Sequence, residues 1–270
     1  MFTVIIGVNY SLVNGYICTN ITSVRLNKFS YCILLALIPA LYSCKKWPWQ
    51  DCEKGRGDVF EDRRSFDNYK SFTLDIPAEV FLHPDTNRLR GEVVVIAQEN
   101  VSEQIVISES DGSLTVGFDG CFREHKEIQF HLYFNELTQL IINSPSRVYS
   151  ESALIGSNFN LTLNESATVE TYVLVDELNV DFKGASNVKT SGYAPIHNVI
   201  FDAAGDYDTE FLITDSTYVN MSANGTFNAY AAKLLDVKMT NGTIEYRGED
   251  SLKINETISG GVLIDLRDSL

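Results

Sequence analysis

The stretch 180–188, VDFKGASNV, is followed by 199–207, VIFDAAGDY, and 219–227, VNMSANGTF. Each has apolar, polar and apolar residues, then a cluster of small or polar residues, then another apolar residue. The same pattern runs earlier as 140–148, LIINSPSRV, and 161–169, LTLNESATV, and later as 237–244, VKMTNGTI, and 254–262, INETISGGV. The closing anchors Val148, Val169, Val188, Tyr207, Phe227, Ile244 and Val262 are spaced by 21, 19, 19, 20, 17 and 18 residues. A period near 20 predicts a β-solenoid, in which each coil packs mainly on its neighbours. Seven coils at a strand spacing of about 4.8 Å give a column on the order of 34 Å tall. The small residues between the strands suit turns, because they tolerate positive φ and bond their own backbone.

Upstream of this repeat, residues 58–135 read as strands joined by turns. SFTLDI at 71–76 alternates, and IQFHLYF at 128–134 places Ile128, Phe130, Leu132 and Phe134 on one face. Asp111-Gly112 between two apolar runs marks a tight hairpin or coil turn. No stretch of a dozen residues carries a helical period. The expected fold class is all-β: a parallel β-helix-like solenoid of about seven C-terminal coils behind a β-rich N-terminal segment.

The first residues read as an address. Arg25 and Lys28 precede the apolar stretch 31–41, too short to span a bilayer and of signal-peptide length. It ends in Leu41-Tyr42-Ser43-Cys44, a lipobox-like sequence in which cleavage leaves Cys44 acylated at the N-terminus, although Tyr42 is bulky for its place. Each methylene buried in a bilayer contributes about 0.8 kcal/mol, so several acyl chains anchor firmly. Residues 1–25 are long for what precedes a signal, and a start at Leu26 would give a signal of normal length. The expected organisation is a signal region at 1–43, a lipid-anchored tether at 44–57 and one β-solenoid domain at 58–266. In the tether, Trp47 and Trp49 suit either the membrane interface or the first coil. The address implies the cell envelope, as an outer membrane lipoprotein with its membrane partner bound through the lipid.

The 270 residues carry a net charge of −15. Removal of 1–43 takes two basic residues and leaves 19 basic and 36 acidic, or −17. Such a surface repels phosphate and argues against nucleic acid as a partner. Of five cysteines, Cys18 and Cys32 fall in the signal region and Cys44 takes the lipid. Cys52 and Cys121 remain, and outside the cytoplasm they read as one disulfide or as two buried thiols.

The turn slots carry a resemblance. GAS at 184–186, AAG at 203–205, ANG at 223–225, TNG at 240–242 and ISGG at 258–261 stand where the head GIN domain places Gly-Ser-Gly between strands. Gly55-Arg56-Gly57, the run RSFDNYKSFTLDIPAEVFL at 64–82 and SDGSLTVGF at 110–118 resemble the start of that domain. Over residues 52–266 the chain resembles this family of auto-transporter adhesins, a domain of unknown function common in bacterial lipoproteins. A subset has cysteines placed as Cys52 and Cys121 are. The resemblance implies a parallel β-helix-like fold and an adhesive role, and it supplies no catalytic residues. The loss of strict Gly-Ser-Gly sets this chain apart.

Enzymes on β-helices use paired carboxylates on one face of adjacent coils. Here the segment FDAAGDYDTEF offers Asp202, Asp206, Asp208 and Glu210, with Asp215 following and Asp181 expected to stack near Asp202. A solvated acidic turn explains them as well. Calcium also suits such oxygens, but no Gly-Gly-x-Gly-x-Asp repeat is present. No zinc spacing, phosphate loop, nucleotide fingerprint or nucleophile elbow occurs, so neither metal nor cofactor is expected. His197 reads as a lone surface histidine. Tyr172, Tyr193, Tyr207, Tyr218 and Tyr230 recur through the coils, as packing or as a row that stacks on sugars. The leading expectation is a non-enzymatic adhesin or interaction scaffold with a glycan or protein ligand, or a homo-oligomeric partner covering an open end. The rival is a polysaccharide lyase or glycosidase acting through Asp206, Asp208 or Asp215.

Overall fold

The structure, a computed structural model, describes residues 52–267 in full. Before them it describes the backbone of three short strands, Val8–Val13, Tyr16–Ile21 and Lys45–Lys46. Leu26, the apolar stretch 31–41, Cys44 and both tryptophans lie outside the described residues. The chain divides into two compact units, residues 1–54 with 121–124, and residues 55–120 with 125–270.

In the smaller unit the three short strands pair antiparallel. Glu53–Lys54 pairs in parallel with Phe122–Glu124, and a Lys54–Glu124 ion pair flanks them. Cys52 and Cys121 are joined by a disulfide with a Cα–Cα separation of 4.8 Å, across 69 residues of sequence. A crosslink over so long a span restricts the unfolded chain, so Cys121→Ser should lower stability by about 2–4 kcal/mol. Urea unfolding with and without reductant checks this: reductant should bring the parent down to the variant, and equal midpoints would contradict it.

The larger unit is the column. From Gln139 onward, each coil lays one strand on a first parallel sheet and one on a second. Along the first sheet, Leu140, Leu161, Val180, Val199, Val219 and Val237 stand in register, coil upon coil. Two residues on, Ile142, Leu163, Phe182, Phe201, Met221 and Met239 form a second row. On the second sheet, Val148, Val169, Val188, Tyr207, Phe227 and Ile244 form a third. None of these side chains is more than 3% exposed. The sequence repeat is thus the imprint of three inward rows. A short third sheet, with Leu154, Val173, Gly192 and Leu212 in register, closes the middle coils.

Outside the first sheet, Asn160, Asn179 and Asn198 form an amide ladder. Asn179 Nδ2 donates to Asn160 Oδ1 at 3.0 Å, and Asn198 Nδ2 to Asn179 Oδ1 at 2.8 Å.

Two details differ from the sequence expectation. The final anchor is displaced by one residue: Leu263, not Val262, stacks on Ile244, and Val262 is 54% exposed. The Gly260-Gly261 turn lengthens that corner, with Gly261 at φ +94°. The stack also starts earlier than the first repeat unit at 140–148. Phe72 and Leu74 lie in register with Leu140 and Ile142, and Val80 with Val148, so strands Ser71–Leu74 and Glu79–Pro84 make a further coil.

That coil is sandwiched. On its other side lie Ser113–Phe118 and Gln129–Phe134, later in sequence, with Leu114 on Phe72 and Phe130 on Val80. In between, the chain runs antiparallel through Gly91–Gln98, which pairs with both Val59–Phe66 and Gln129–Phe134. A one-turn helix, Glu99–Ser102, leads into the hairpin Ile105–Ser110 and Ser113–Phe118. Its turn has Asp111 at φ 50° and Gly112 at φ 72°, the positive pair that a two-residue hairpin needs. The outer strand Val59–Phe66 carries Glu61, Asp62, Arg63 and Arg64, charges that discourage further strand pairing.

Candidate functional site

The turn slots of successive coils stack on one another. Ser146 stacks on Ala167, Ser186 on Gly205 and Gly205 on Gly225, at the corner between the first and second sheets. A Cβ on Gly205 would lie 2.3 Å from the Ser186 carbonyl oxygen, and one on Gly225 2.3 Å from that of Gly205. Ser186 Oγ accepts from the Ala167 amide and donates to the Glu165 carbonyl, both at 3.0 Å. Close approach of successive backbones therefore dictates small residues here, and the motif is explained by packing.

A depression of about 450 Å³ follows this corner, lined by Pro77, Ala78, Pro145, Ser146, Arg147 and Thr168 among others. Arg147 is held by Glu127 and, at 3.4 Å, by Glu79. A second depression of about 320 Å³ adjoins it on the outer face of the second sheet. The two share Thr168 and Asn187, and the second adds Glu170, Lys189, Asp206 and Asp208. Together they form a shallow groove of mixed polar and apolar lining.

Only two of the candidate acids meet there. Asp206 and Asp208 project outward on either side of buried Tyr207, in register with Asn187 and Lys189. Lys189 Nζ is 3.9 Å from Asp208. Asp202 sits in the corner turn, where Ser222 Oγ donates to it at 2.9 Å. Asp215 lies at the edge leading into strand Ser216–Met221 and pairs with Lys233 at 2.8 Å. Asp181 stands opposite Ile200 and not beside Asp202, and pairs with Lys183 at 2.9 Å. Among the described residues no group of three His, Cys, Asp or Glu is arranged to hold a metal ion.

His197 is not on the surface. It is 1% exposed, inward in strand Ile196–Phe201 between Leu178 and Thr217. Its Nε2 lies 3.1 Å from the Tyr207 hydroxyl, and Nδ1 has no hydrogen-bond partner. Burial holds its pKa down to about 3. Burial likewise raises the Tyr207 phenol. The tyrosines form no single row: Tyr207 is core, whereas Tyr172, Tyr193 and Tyr218 are 40–44% exposed on different sheets.

Two surfaces were not evident in the sequence. Outside the third sheet, Ile155, Leu174, Tyr193 and Ile213 stand in register and 37–57% exposed, an apolar row turned to water. Tyr172 and Phe211 are exposed close to it in sequence. The signal was the outward parity of Ile155 and Leu174, hidden among the inward apolar residues of the same strands. At the opposite end of the second sheet, Phe81, His83, His131, Tyr133 and Tyr149 pack ring on ring. Burial lowers the His83 pKa, and neighbouring Glu151 opposes that shift.

The chain matches the profile of a family described as "Putative auto-transporter adhesin, head GIN domain" over residues 79–249. Among solved structures, an adhesin so described from Bacteroides fragilis superposes with a TM-score of 0.73 at 15% identity, covering 79% of this chain and 99% of its own. One from Parabacteroides distasonis gives 0.63 at 17% identity, covering 80% and 100%. A protein from the same organism, described as lipid binding, gives 0.64 at 14% identity with the same coverage. At these identities the likeness establishes the fold. No curated protein matches the chain. Among the described residues no helix is long and apolar enough to cross a membrane. With the in-register coils, the small-residue corner and a profile match over most of the chain, the protein belongs to the head GIN domain family.

Proposed function

We propose that the protein is a non-enzymatic adhesion scaffold of the cell envelope, tethered through an acylated Cys44. The observation that carries this reading is the apolar row of the third sheet. A rigid stack keeps Ile155, Leu174, Tyr193 and Ile213 in register and in water, as binding surfaces do and ordinary solvated faces do not. The adhesin names of the family and of its structural neighbours agree with it. In the adjoining groove Arg147, Asn187, Lys189 and Asp206 add hydrogen-bonding groups suited to a glycan or protein ligand.

One observation favours an enzyme. Asp206 and Asp208 are two apart on one strand, a step of about 7 Å, within the roughly 6.5–9.5 Å between carboxyl groups of inverting glycosidases. Neither, however, is buried, and a general acid is ordinarily raised into its working range by desolvation.

A glycan array and a turnover assay on one preparation separate the readings. Binding without turnover is expected, weakened at least about tenfold by Leu174→Asp with Ile213→Asp. Turnover that disappears in Asp206→Asn would replace the scaffold with a glycosidase or lyase. The tether is tested apart: Cys44→Ala should abolish labelling by palmitate, and unchanged labelling would remove the anchor from the proposal.

A further inference from the structure

We propose that His83 and His131 form a binding site for a divalent first-row ion that favours imidazole, namely Cu(II), Zn(II) or Ni(II). The parallel pairing of Glu79–Pro84 with Gln129–Phe134 sets His83 opposite Tyr133 and His131 opposite Phe81. Both histidines point outward, since the alternate residues Val80, Leu82, Phe130 and Leu132 are fully buried. The ring planes are nearly parallel, 17° apart with centroids 5.2 Å apart, and His83 Nε2 lies 2.9 Å from His131 Nδ1.

The outer nitrogen of His83 defines its tautomer. Nδ1 lies 3.1 Å from Glu151 Oε2 and can serve only as the donor to that carboxylate. In the neutral ring Nε2 then carries a lone pair, directed at His131. A carboxylate that accepts the second N–H of a histidine is the usual support of a metal ligand, fixing the ring and raising its basicity. Aromatic walls hold the rings in place: Tyr133 lies 4.4 Å from His83 at 12°, and Phe81 4.7 Å from His131 at 14°.

The distances suit an ion. Two imidazole nitrogens bound at about 2.0–2.1 Å and at a right angle are about 3 Å apart, slightly more in tetrahedral geometry. The nitrogen separation therefore already suits an ion, and each ring has to turn its lone pair from the other ring toward it. The proton on His131 Nδ1 moves to its Nε2, so that a neutral pair binds the ion without losing a proton overall. The cation Arg88 lies close by, 4.6 Å over the Tyr133 ring, and it is engaged by Glu92 at 2.7 Å and Asp85 at 3.4 Å. With Glu151, the carboxylates outnumber it. No third His, Cys, Asp or Glu among the described residues completes the shell. Water fills the remaining positions, which makes this an open, exchangeable site and not a structural metal centre. The two histidines are 48 residues apart in sequence, and only the sandwiched coil brings them together.

Titration of the full chain with Cu(II) against a glycine competitor, followed by electron paramagnetic resonance, tests the site. One stoichiometric ion with two nitrogen couplings is expected. His83→Ala and His131→Ala should each abolish that signal, while His125→Ala leaves it unchanged. Glu151→Gln should weaken binding by about 10–100-fold. Absence of a stoichiometric site, or one that survives in both His83→Ala and His131→Ala, would overturn the proposal; the latter would mark adventitious binding to the acidic surface. None of the four side chains is fully buried, so circular dichroism should show folded variants.

Discussion

Phe201→Ala is expected to lower the free energy of unfolding by about 3–5 kcal/mol. Phe201 is fully buried and lies face to face on Phe182, with ring centroids 4.2 Å apart and planes 6° apart. It also meets Phe227 and Tyr207 at 6.1 and 6.5 Å. The cost should fall at the high end, because the cavity cannot collapse. Backbone ladders on both sides hold the neighbouring coils at their spacing, so Phe182 and Met221 cannot close together. Phe201→Met, which copies residues 221 and 239 of the same row, should cost clearly less, since it keeps most of the volume. Urea unfolding of the three proteins decides it. An alanine variant with the parent's midpoint would mean that the coils can slide to fill the gap.

Acid should weaken the fold through His197. Its imidazole titrates at about pH 3 in the folded chain, because burial against Tyr207 and the edge of Phe227 disfavours the charged ring. In the unfolded chain it titrates near pH 6.5. Between these values the unfolded state binds more protons. The contribution of His197 is therefore complete above about pH 6.5 and falls as the pH drops toward 3. At about 1.4 kcal/mol per pH unit, the loss between pH 7 and pH 4 is on the order of 3 kcal/mol. His197→Leu, which copies Leu178 beneath it, removes the titrating group. The stability difference between parent and variant at pH 7, 5.5 and 4 isolates this residue from the many acids. A difference that does not change with pH would show that His197 is not buried as the neutral ring.

The column was readable in the chain because each coil repeats the same inward step. Val180, Val199 and Val219, and Phe182, Phe201 and Met221, occupy identical places, and their recurrence survives even though the turns vary. The burial of His197 was not readable. In IHNVIF the outward residues include Ile196 and Ile200, 43% and 40% exposed, so hydrophobicity does not mark which parity faces inward. Register with Leu178 decides it. The shift in the last coil came from one residue at the Gly260-Gly261 corner, and such a slip exchanges the faces of the strand that follows. Of the candidate acids, Asp206 and Asp208 were legible as a pair because they share a strand. Asp202 and Asp215 were grouped with them by closeness in sequence, whereas a coil sends successive short segments to different sides. His83 and His131 could not be connected at all, because the contact depends on an interleaving that no local pattern records.

That interleaving also orders events in time. The coil at 71–84 lies between strands that come about 40 to 70 residues later in the chain, so it is covered on neither side when it first leaves the ribosome. Its inner side chains Phe72 and Val80 must wait until about residue 150 has been made. Each later coil, in contrast, finds its template already in place about 20 residues behind it. Folding should therefore begin with a delayed, non-local closure at the N-terminal end and continue as rapid addition of local contacts. During synthesis, the exposed early strands are the part of this protein most open to chaperones, to proteolysis and to wrong pairing.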